Sequence, residues 1–396
     1  MPQKLSPLRL KKGEDNRLRA GHLWIYSNEI SKETPLKGFE PGQPVEIQTA
    51  GGSPIGAGYV NPHSLICARV VSRSVHQPLS KNLLVSRIEN ALKLRESVFD
   101  QPYYRLVYSE GDFLPGLIVD RYGDILVAQL NTAGMDAMAE DILLALFKVI
   151  EPKGVLWRND SNVRVLEGLE KETRVAGGEV PESVTVVENG ALFEAPLLAG
   201  QKTGWFYDQR DNRAKLKRYV KDKSVLDVCS YVGGWSITSL MMGAKSATAI
   251  DQSETALKYA TVSAEKNGVE DRFDTIQADC FDALKALKRK GKKFEVIVVD
   301  PPAFIKRRKD IKEGMLAYQR LNALAMELLV EGGILISCSC SFHMNFRDLQ
   351  TAVSRSAAKL GRSIQLLERG RQSIDHPCHM NIPETEYLKA IYCRLA

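Results

Sequence analysis

Val225-Leu226-Asp227-Val228-Cys229-Ser230-Tyr231-Val232-Gly233-Gly234 is the stretch on which the fold turns. A short apolar run enters a turn containing paired glycines, and a helical pattern opens near Trp235. Glycine lets the backbone approach a ligand there, and the first turn of the helix offers free N–H donors. Further apolar or β-rich runs follow at 247–250, 273–277, 296–299 and 334–336, with helical patterns between them. The best-bounded helix lies between Asp251 and Gly268. Ser253 can cap it, Glu254 opens it, Lys266 closes it and Asn267-Gly268 stops it. This alternation predicts an α/β domain with a doubly wound parallel sheet and ligands at the carboxyl ends of its strands.

The second strand of the series ends at Asp251, 18 residues beyond Gly233. A carboxylate there can accept both hydroxyls of a ribose, although it could equally cap the following helix. The third strand leads to Asp279-Cys280, where Asp279 could bond an adenine amino group. An adenosine-containing cofactor satisfies the turn, Asp251 and Asp279 together. The turn departs from Gly-x-Gly-x-Gly in having Cys229 and Tyr231 where glycines are expected.

The fourth strand exits into Asp300-Pro301-Pro302-Ala303-Phe304. Two prolines stiffen that turn and hold the Asp300 carboxylate at the sheet edge. The fifth runs into Ser337-Cys338-Ser339-Cys340-Ser341. A cysteine past a strand end, among hydroxyls and near basic residues, is placed to be a reactive thiolate. A thiolate adding to carbon-6 of a cytosine makes carbon-5 nucleophilic, and an acid near the ring nitrogen stabilises the adduct. Cys340 is the expected nucleophile and Asp300 the expected acid. Cys338 is expected to be a buried, inert thiol.

The remainder of the 396 residues reads as two smaller segments. Residues 1–75 carry short strand candidates and turn chemistry, predicting a compact β-barrel. Residues 76–185 give a helix at 82–96, a hairpin around Asp120-Arg121-Tyr122-Gly123-Asp124, a helix at 135–150 and a strand at 154–157. Gly177-Gly178 and Pro181 suggest a boundary before the 186–396 domain. No apolar run approaches the ~20 residues of a membrane span, and the N-terminus lacks a secretory core, so a cytoplasmic location is expected. Seven scattered cysteines predict neither a disulfide framework nor a metal site.

The formal charge of +6 permits a polyanionic partner without demanding one. Its distribution is more informative. Residues 1–75 hold ten Lys/Arg against six Asp/Glu, and residues 210–223 hold seven against two. Lys306-Arg307-Arg308-Lys309 is an unbroken basic run beside Phe304. Lys306, Arg307, Arg308 and Phe304 are therefore candidate RNA contacts, a solvated surface being the plainer alternative.

Together these residues resemble the bacterial 23S ribosomal RNA (cytosine-5) methyltransferase family of the RlmI type. Lys202-Thr203-Gly204-Trp205-Phe206-Tyr207-Asp208-Gln209-Arg210, Asp375-His376-Pro377 and Pro383-Glu384 with Tyr387-Leu388-Lys389 extend the match over the whole chain. The resemblance implies a PUA-like RNA-binding domain, a small central α+β domain and a Rossmann-like methyltransferase domain using S-adenosylmethionine. It places the donor at Asp227, Ser230, Tyr231, Gly233, Asp251, Gln252, Asp279, Cys280 and Asp300, with Gln209 and Arg210 near the methionine end. It implies 23S rRNA, or an assembly intermediate, as partner, and leaves the oligomeric state open, a homodimer included. Cys338 has no counterpart expected in the family, and no second cysteine stands beside the prolines to assist release. The rivals are a guanine methyltransferase forming no adduct, a nicotinamide-dependent oxidoreductase, and a catalytically silent RNA-binding assembly factor.

Overall fold

The structure, a computed structural model, describes residues 5–396. The chain packs into two compact units that exchange segments: residues 197–205 and 375–385 join the N-terminal unit, while 183–196 belong to the second.

The N-terminal unit contains two five-stranded sheets. In the first, Ser6–Arg9 pairs in parallel with Gln43–Gln48, followed by Pro54–Val60, Ala68–Ser72 and Trp24–Ile25. Leu8, Ile25, Val45, Ile47 and Val60 fill its core. The second orders Glu172–Gly178, Gly154–Asn159, Ile125–Leu130, Leu117–Tyr122 and Tyr103–Tyr108, with the helices Lys81–Glu96 and Ala139–Ile150 contributing Leu84, Ile88, Ile142 and Leu146 to its core. The expected hairpin is present, with Leu117–Tyr122 antiparallel to Ile125–Leu130. One difference from the sequence reading has a local cause. The helix expected over 135–150 is broken at Met138 into Ala133–Ala137 and Ala139–Ile150. Gly177-Gly178, read as part of a boundary, closes an edge strand just before the division after Glu182, and a Cβ on Gly178 would stand 2.0 Å from the Lys153 carbonyl oxygen.

The second unit opens with a hairpin, Ser183–Glu188 and Ala191–Pro196, and then builds a seven-stranded sheet. We number its strands β1 (Ser224–Val228), β2 (Ser246–Asp251), β3 (Phe273–Gln277), β4 (Phe294–Val299), β5 (Leu329–Ser339), β6 (Ile364–Arg371) and β7 (Lys389–Leu395). Their spatial order is β3-β2-β1-β4-β5-β7-β6. The helices that follow the first five strands are α1 (Gly234–Met241), α2 (Glu254–Lys266), α3 (Cys280–Arg289), α4 (Ile311–Leu328) and α5 (Phe346–Lys359). Ser253 caps α2 by accepting from Ala256 N, within the bounds its sequence predicts. The sheet is not wholly parallel: β7 runs antiparallel to β5 and β6. The seven-residue β7 lies between the two and completes the pairing of β5; it is buried at every position but Arg394, and its charged residues Lys389 and Arg394 disguise it in the sequence.

Leu226, Val228, Ile297, Val299, Leu335 and Ile391 from the sheet pack with Leu321 and Met326 of α4 and Leu349 and Val353 of α5. Each such buried side chain contributes roughly 1.5–3 kcal/mol. That core fixes the carboxyl ends of β1, β2, β4 and β5 along one edge. The edge is also stitched by backbone bonds, with Ser230 N donating to Ile250 O and Asp300 N to Val228 O. Among the described residues no helix is long and apolar enough to cross a membrane.

Candidate active site at the carboxyl edge of the sheet

The turn after β1 reverses direction through Cys229 (φ 65°), Tyr231 (φ 50°) and Gly233 (φ 79°). Two side-chain-bearing residues in the left-handed region are costly, and such strain persists where the surroundings hold it. Asp251 supplies part of that hold: one carboxylate oxygen accepts from Tyr231 N at 2.8 Å, the other from Ser253 N at 2.9 Å. Asp251 thus shapes the turn and the start of α2. Asp279 caps α3 by accepting from Phe281 N and Asp282 N, while its second oxygen accepts from Gln252 Nε2 at 2.8 Å. Cys229 and Cys280 bring their thiols together between these turns, which pushes the Cys229 thiol up and the Cys280 thiol down.

Two carboxylates lie behind the turn, Asp227 fully buried and Asp300 half-buried. Asp227 accepts from the Ser236 backbone N–H (3.0 Å) and hydroxyl (2.7 Å), and burial pushes its carboxyl up to about 7. Asp300 accepts on one oxygen from Gln209 Nε2 (2.9 Å) and Trp235 Nε1 (3.0 Å). Burial pushes it up to about 6, against the lowering effect of the Trp235 bond. Desolvation penalises the charged form, so these acids hold protons unusually near neutrality.

Cys340 follows the last residue of β5. Its Sγ lies 4.0 Å from the Pro301 carbonyl oxygen, so the thiol and the Asp-Pro-Pro turn share one corner of the edge. The serines on either side are pinned. Ser339 Oγ donates to the Tyr318 hydroxyl at 2.9 Å, and that hydroxyl also hydrogen-bonds Ser341 Oγ at 3.0 Å. Ser341 Oγ accepts from Ile305 N, fixing the loop beyond the prolines. Lys389, at the start of β7, donates from Nζ to Ser341 O (2.7 Å) and Tyr387 O (2.6 Å). Burial pulls this ammonium down to about 8, while the nearby Cys340 acts in the opposite sense. Cys338 lies inside β5, fully buried, with its thiol pushed well up by burial.

The structure brings Gln209, Asp300, Cys340 and the 227–234 turn to the same sheet edge, with Asp251, Gln252, Asp279 and Cys280 beside it. Arg210 is engaged elsewhere: its guanidinium pairs with Glu188 at 3.5 Å and lies over the Tyr207 ring. Phe304 is half-buried, edge-on to Tyr318 with ring centroids 4.9 Å apart. Lys306 and Arg308 are exposed, and Arg307 pairs with Asp310 at 3.0 Å. Sequence reasoning missed Trp235, Tyr318 and Lys389. Trp235 carried a faint signal, an indole donor in the first turn after Gly233-Gly234. Tyr318 and Lys389 reach the site across 23 and 48 residues, beyond any local pattern.

The strand order and the turn after β1 define a Rossmann-like fold. Residues 169–391 match the S-adenosylmethionine-dependent methyltransferase family, and residues 8–73 match a PUA-like domain. The fold is that of a methyltransferase solved as its complex with SAH, at a TM-score of 0.84 and 21% identity, covering 98% of this chain and 100% of that one. A methyltransferase from Streptococcus mutans superposes at a TM-score of 0.83 and 20% identity, with the same coverage. The chain is thus an S-adenosylmethionine-dependent methyltransferase. More narrowly, it belongs to the family of ribosomal RNA large subunit methyltransferase I: the Aliivibrio fischeri protein is 37% identical over 392 residues, 98% of each chain. The Vibrio cholerae protein is 36% identical over 395 residues, again 98% of each.

The residues present fit that cofactor. At the turn, Asp227 Oδ1 and Ser230 Oγ are buried without a hydrogen-bond partner, leaving polar capacity for a ligand beside the glycines.

Proposed function

We propose that this chain methylates carbon-5 of a specific cytosine in 23S ribosomal RNA through a covalent adduct with Cys340. S-adenosylmethionine, when bound, supplies the methyl group. Asp227, Ser230, Tyr231, Gly233, Asp251, Gln252, Asp279, Cys280 and Gln209 are the residues we assign to holding it. We assign residues 1–75 to an RNA-binding PUA-like domain, 76–185 to a central domain and 186–396 to the methyltransferase domain.

The observation that carries the reading is the joint placement of Cys340 and the Asp300 turn, with the thiol 4.0 Å from Pro301 O. The Cys340 thiolate forms a bond to carbon-6 of the base, moving an electron pair toward carbon-5. Asp300, whose carboxyl is pushed up to about 6, hydrogen-bonds the ring nitrogen and stabilises the charge that develops there. Lys389 holds the Ser341 and Tyr387 carbonyls and keeps a positive charge beside the thiolate. Once carbon-5 has taken the methyl group and released its proton to solvent, the carbon–sulfur bond breaks, returning the thiolate. Lys306, Arg307, Arg308 and Phe304 are proposed to meet the RNA strand at this edge.

Nucleoside analysis of large-subunit rRNA treated with the enzyme and labelled S-adenosylmethionine tests this reading. The label is expected in 5-methylcytidine. Label in a methylated guanosine would replace the reading with the guanine alternative, and no transfer to any rRNA substrate would favour a silent assembly factor.

A further inference from the structure

The N-terminal unit holds a cavity of about 420 Å³ whose lining includes none of the residues assigned above to the cofactor or to the reaction. Its walls come from the first sheet (Arg73), from the helix and turn of the second (Arg87, Phe113) and from the returning segment (His379, Met380, Asn381). The walls meet at close backbone approaches. A Cβ on Gly111 would stand 1.9 Å from Pro377 O, and one on Gly21 2.3 Å from Asn381 Nδ2. A volume of this order suits a single compact ligand.

Two features of the lining are unexplained by folding alone. Arg87 is held by the Phe113 and Val71 carbonyls, and Arg73 reaches the Arg19 carbonyl at 3.4 Å. Neither guanidinium has a carboxylate partner among the described residues. Burial without compensation pulls Arg87 down to about 10, which leaves it charged at neutral pH. Elsewhere in this unit buried arginines are neutralised, as in the Arg95–Asp112 pair at 2.6 Å. A partly buried cation facing a cavity calls for an anion.

The second feature is apolar. Phe113 sits in the left-handed region (φ 59°, ψ 23°), an outlier for a bulky side chain, and yet it is 53% exposed. The carbonyl held by Arg87 is its own. Met380 beside it is 93% exposed, and His379 meets the Phe113 ring edge-on at 5.5 Å. Burial lowers the His379 pKa, so the imidazole adds no charge to the aromatic side. A strained, exposed ring on a rigid turn, next to two unpaired guanidinium groups, offers a planar face and a phosphate clamp together.

We propose that this cavity binds one unpaired nucleotide of RNA, its base stacked on Phe113 and its phosphate held by Arg73 and Arg87. The proposal rests on RNA being the substrate, and it adds a contact that recognises single-stranded RNA in the N-terminal unit. Stacking on an aromatic face is tolerant of base identity, so the pocket selects strandedness rather than sequence.

The test uses the full-length protein with a double variant, Phe113→Gly and Arg73→Ala. Glycine relieves the left-handed strain at 113 and Arg73 is exposed, so the fold is kept, which thermal melting checks. Binding is measured for a 12-nucleotide single-stranded RNA and for a 12-base-pair RNA duplex. The double variant is expected to bind the single strand at least about tenfold more weakly while duplex binding changes less than about twofold. Unchanged single-strand binding, or equal loss for both RNAs, overturns the pocket. Methyl transfer by the wild-type enzyme to rRNA is read separately, so failure of the assigned activity is distinguishable from failure of the pocket.

Discussion

Buried charge is handled in opposite ways in the sheets of the N-terminal unit and at the carboxyl edge of the second unit's sheet. Three pairs sit in the N-terminal sheets: Arg69 with Glu167 at 2.9 Å, Arg95 with Asp112 at 2.6 Å and Arg105 with Asp120 at 2.8 Å. Arg95 and Arg105 each grip both oxygens of their carboxylate. At the carboxyl edge of the second unit, the buried Asp227 and half-buried Asp300 meet neutral donors and no ion pair among the described residues, and desolvation pushes both carboxyls up, to about 7 and about 6. Paired charges fix a structure; unpaired ones leave chemistry available at some cost in stability. That contrast separates architecture from candidate site more sharply than burial does, since Asp120 and Asp227 are both fully buried.

The largest effect is expected at the proposed nucleophile. Cys340→Ala should lower methyl transfer at least about a thousandfold with little change in melting temperature, because only a half-buried thiol is lost. Cys338→Ala, two residues away, should do the reverse: activity within a few-fold, and a stability loss of about 1 kcal/mol from a small cavity. Equal effects at the two cysteines would remove the distinction between them.

Breaking a pair in the N-terminal unit comes next. Asp112→Ala leaves Arg95 buried without its carboxylate and should cost about 3–5 kcal/mol in denaturant unfolding. A cost below about 1 kcal/mol would mean that the pairs are not what hold this unit.

Asp300→Asn should act in the opposite sense on stability. The folded-state value, about 6, stands above the usual 3.8, so the folded chain retains a proton that the unfolded chain has released between those pH values. Stability from this group is therefore fully present below about pH 4 and is lost as pH rises through about 6. At pH 7.5 the cofactor-free Asp300→Asn protein should be more stable than wild type, on the order of 1–2 kcal/mol, and the gain should vanish toward pH 4. Its methyl transfer should fall about a hundredfold or more. Melting curves across that range check the sign.

Tyr318→Phe is expected to have the smallest effect. It removes the hydroxyl that joins Ser339 and Ser341 around the nucleophile, and should lower turnover about three- to tenfold while leaving S-adenosylmethionine binding unchanged. Restoring the pH profile to that of wild type would confine Tyr318 to positioning the loop.

Much of the fold and part of the candidate site are legible in the sequence. The runs at 225–228, 247–250 and 296–299 are apolar because both faces of those strands are covered, and a continuous apolar run survives as a local signal. Asp300 and Cys340 were legible because proline and cysteine are scarce and their positions follow strand ends. The exceptions are long-range. β7 pairs with β5 across 50 to 60 residues, and its charged members disguise an interior strand. Segment 375–385 leaves one unit for the other, and there the Asp375 carboxylate accepts from Arg105 N at 2.9 Å, across 270 residues. No periodicity encodes such a pairing. Lys389 was visible only as part of a resemblance, since its work, two bonds to carbonyl oxygens, depends on where the chain brings it.

The central claim is that Cys340 bonds to the base, and trapping that bond tests it most directly. Large-subunit rRNA substituted with 5-fluorocytosine has no carbon-5 proton to lose, so the adduct should accumulate. Digestion and mass analysis should find one RNA-linked peptide, modified at Cys340, and none in the Cys340→Ala protein. Methyl transfer to ordinary rRNA without any trapped adduct, or an adduct on Cys338, would contradict the account.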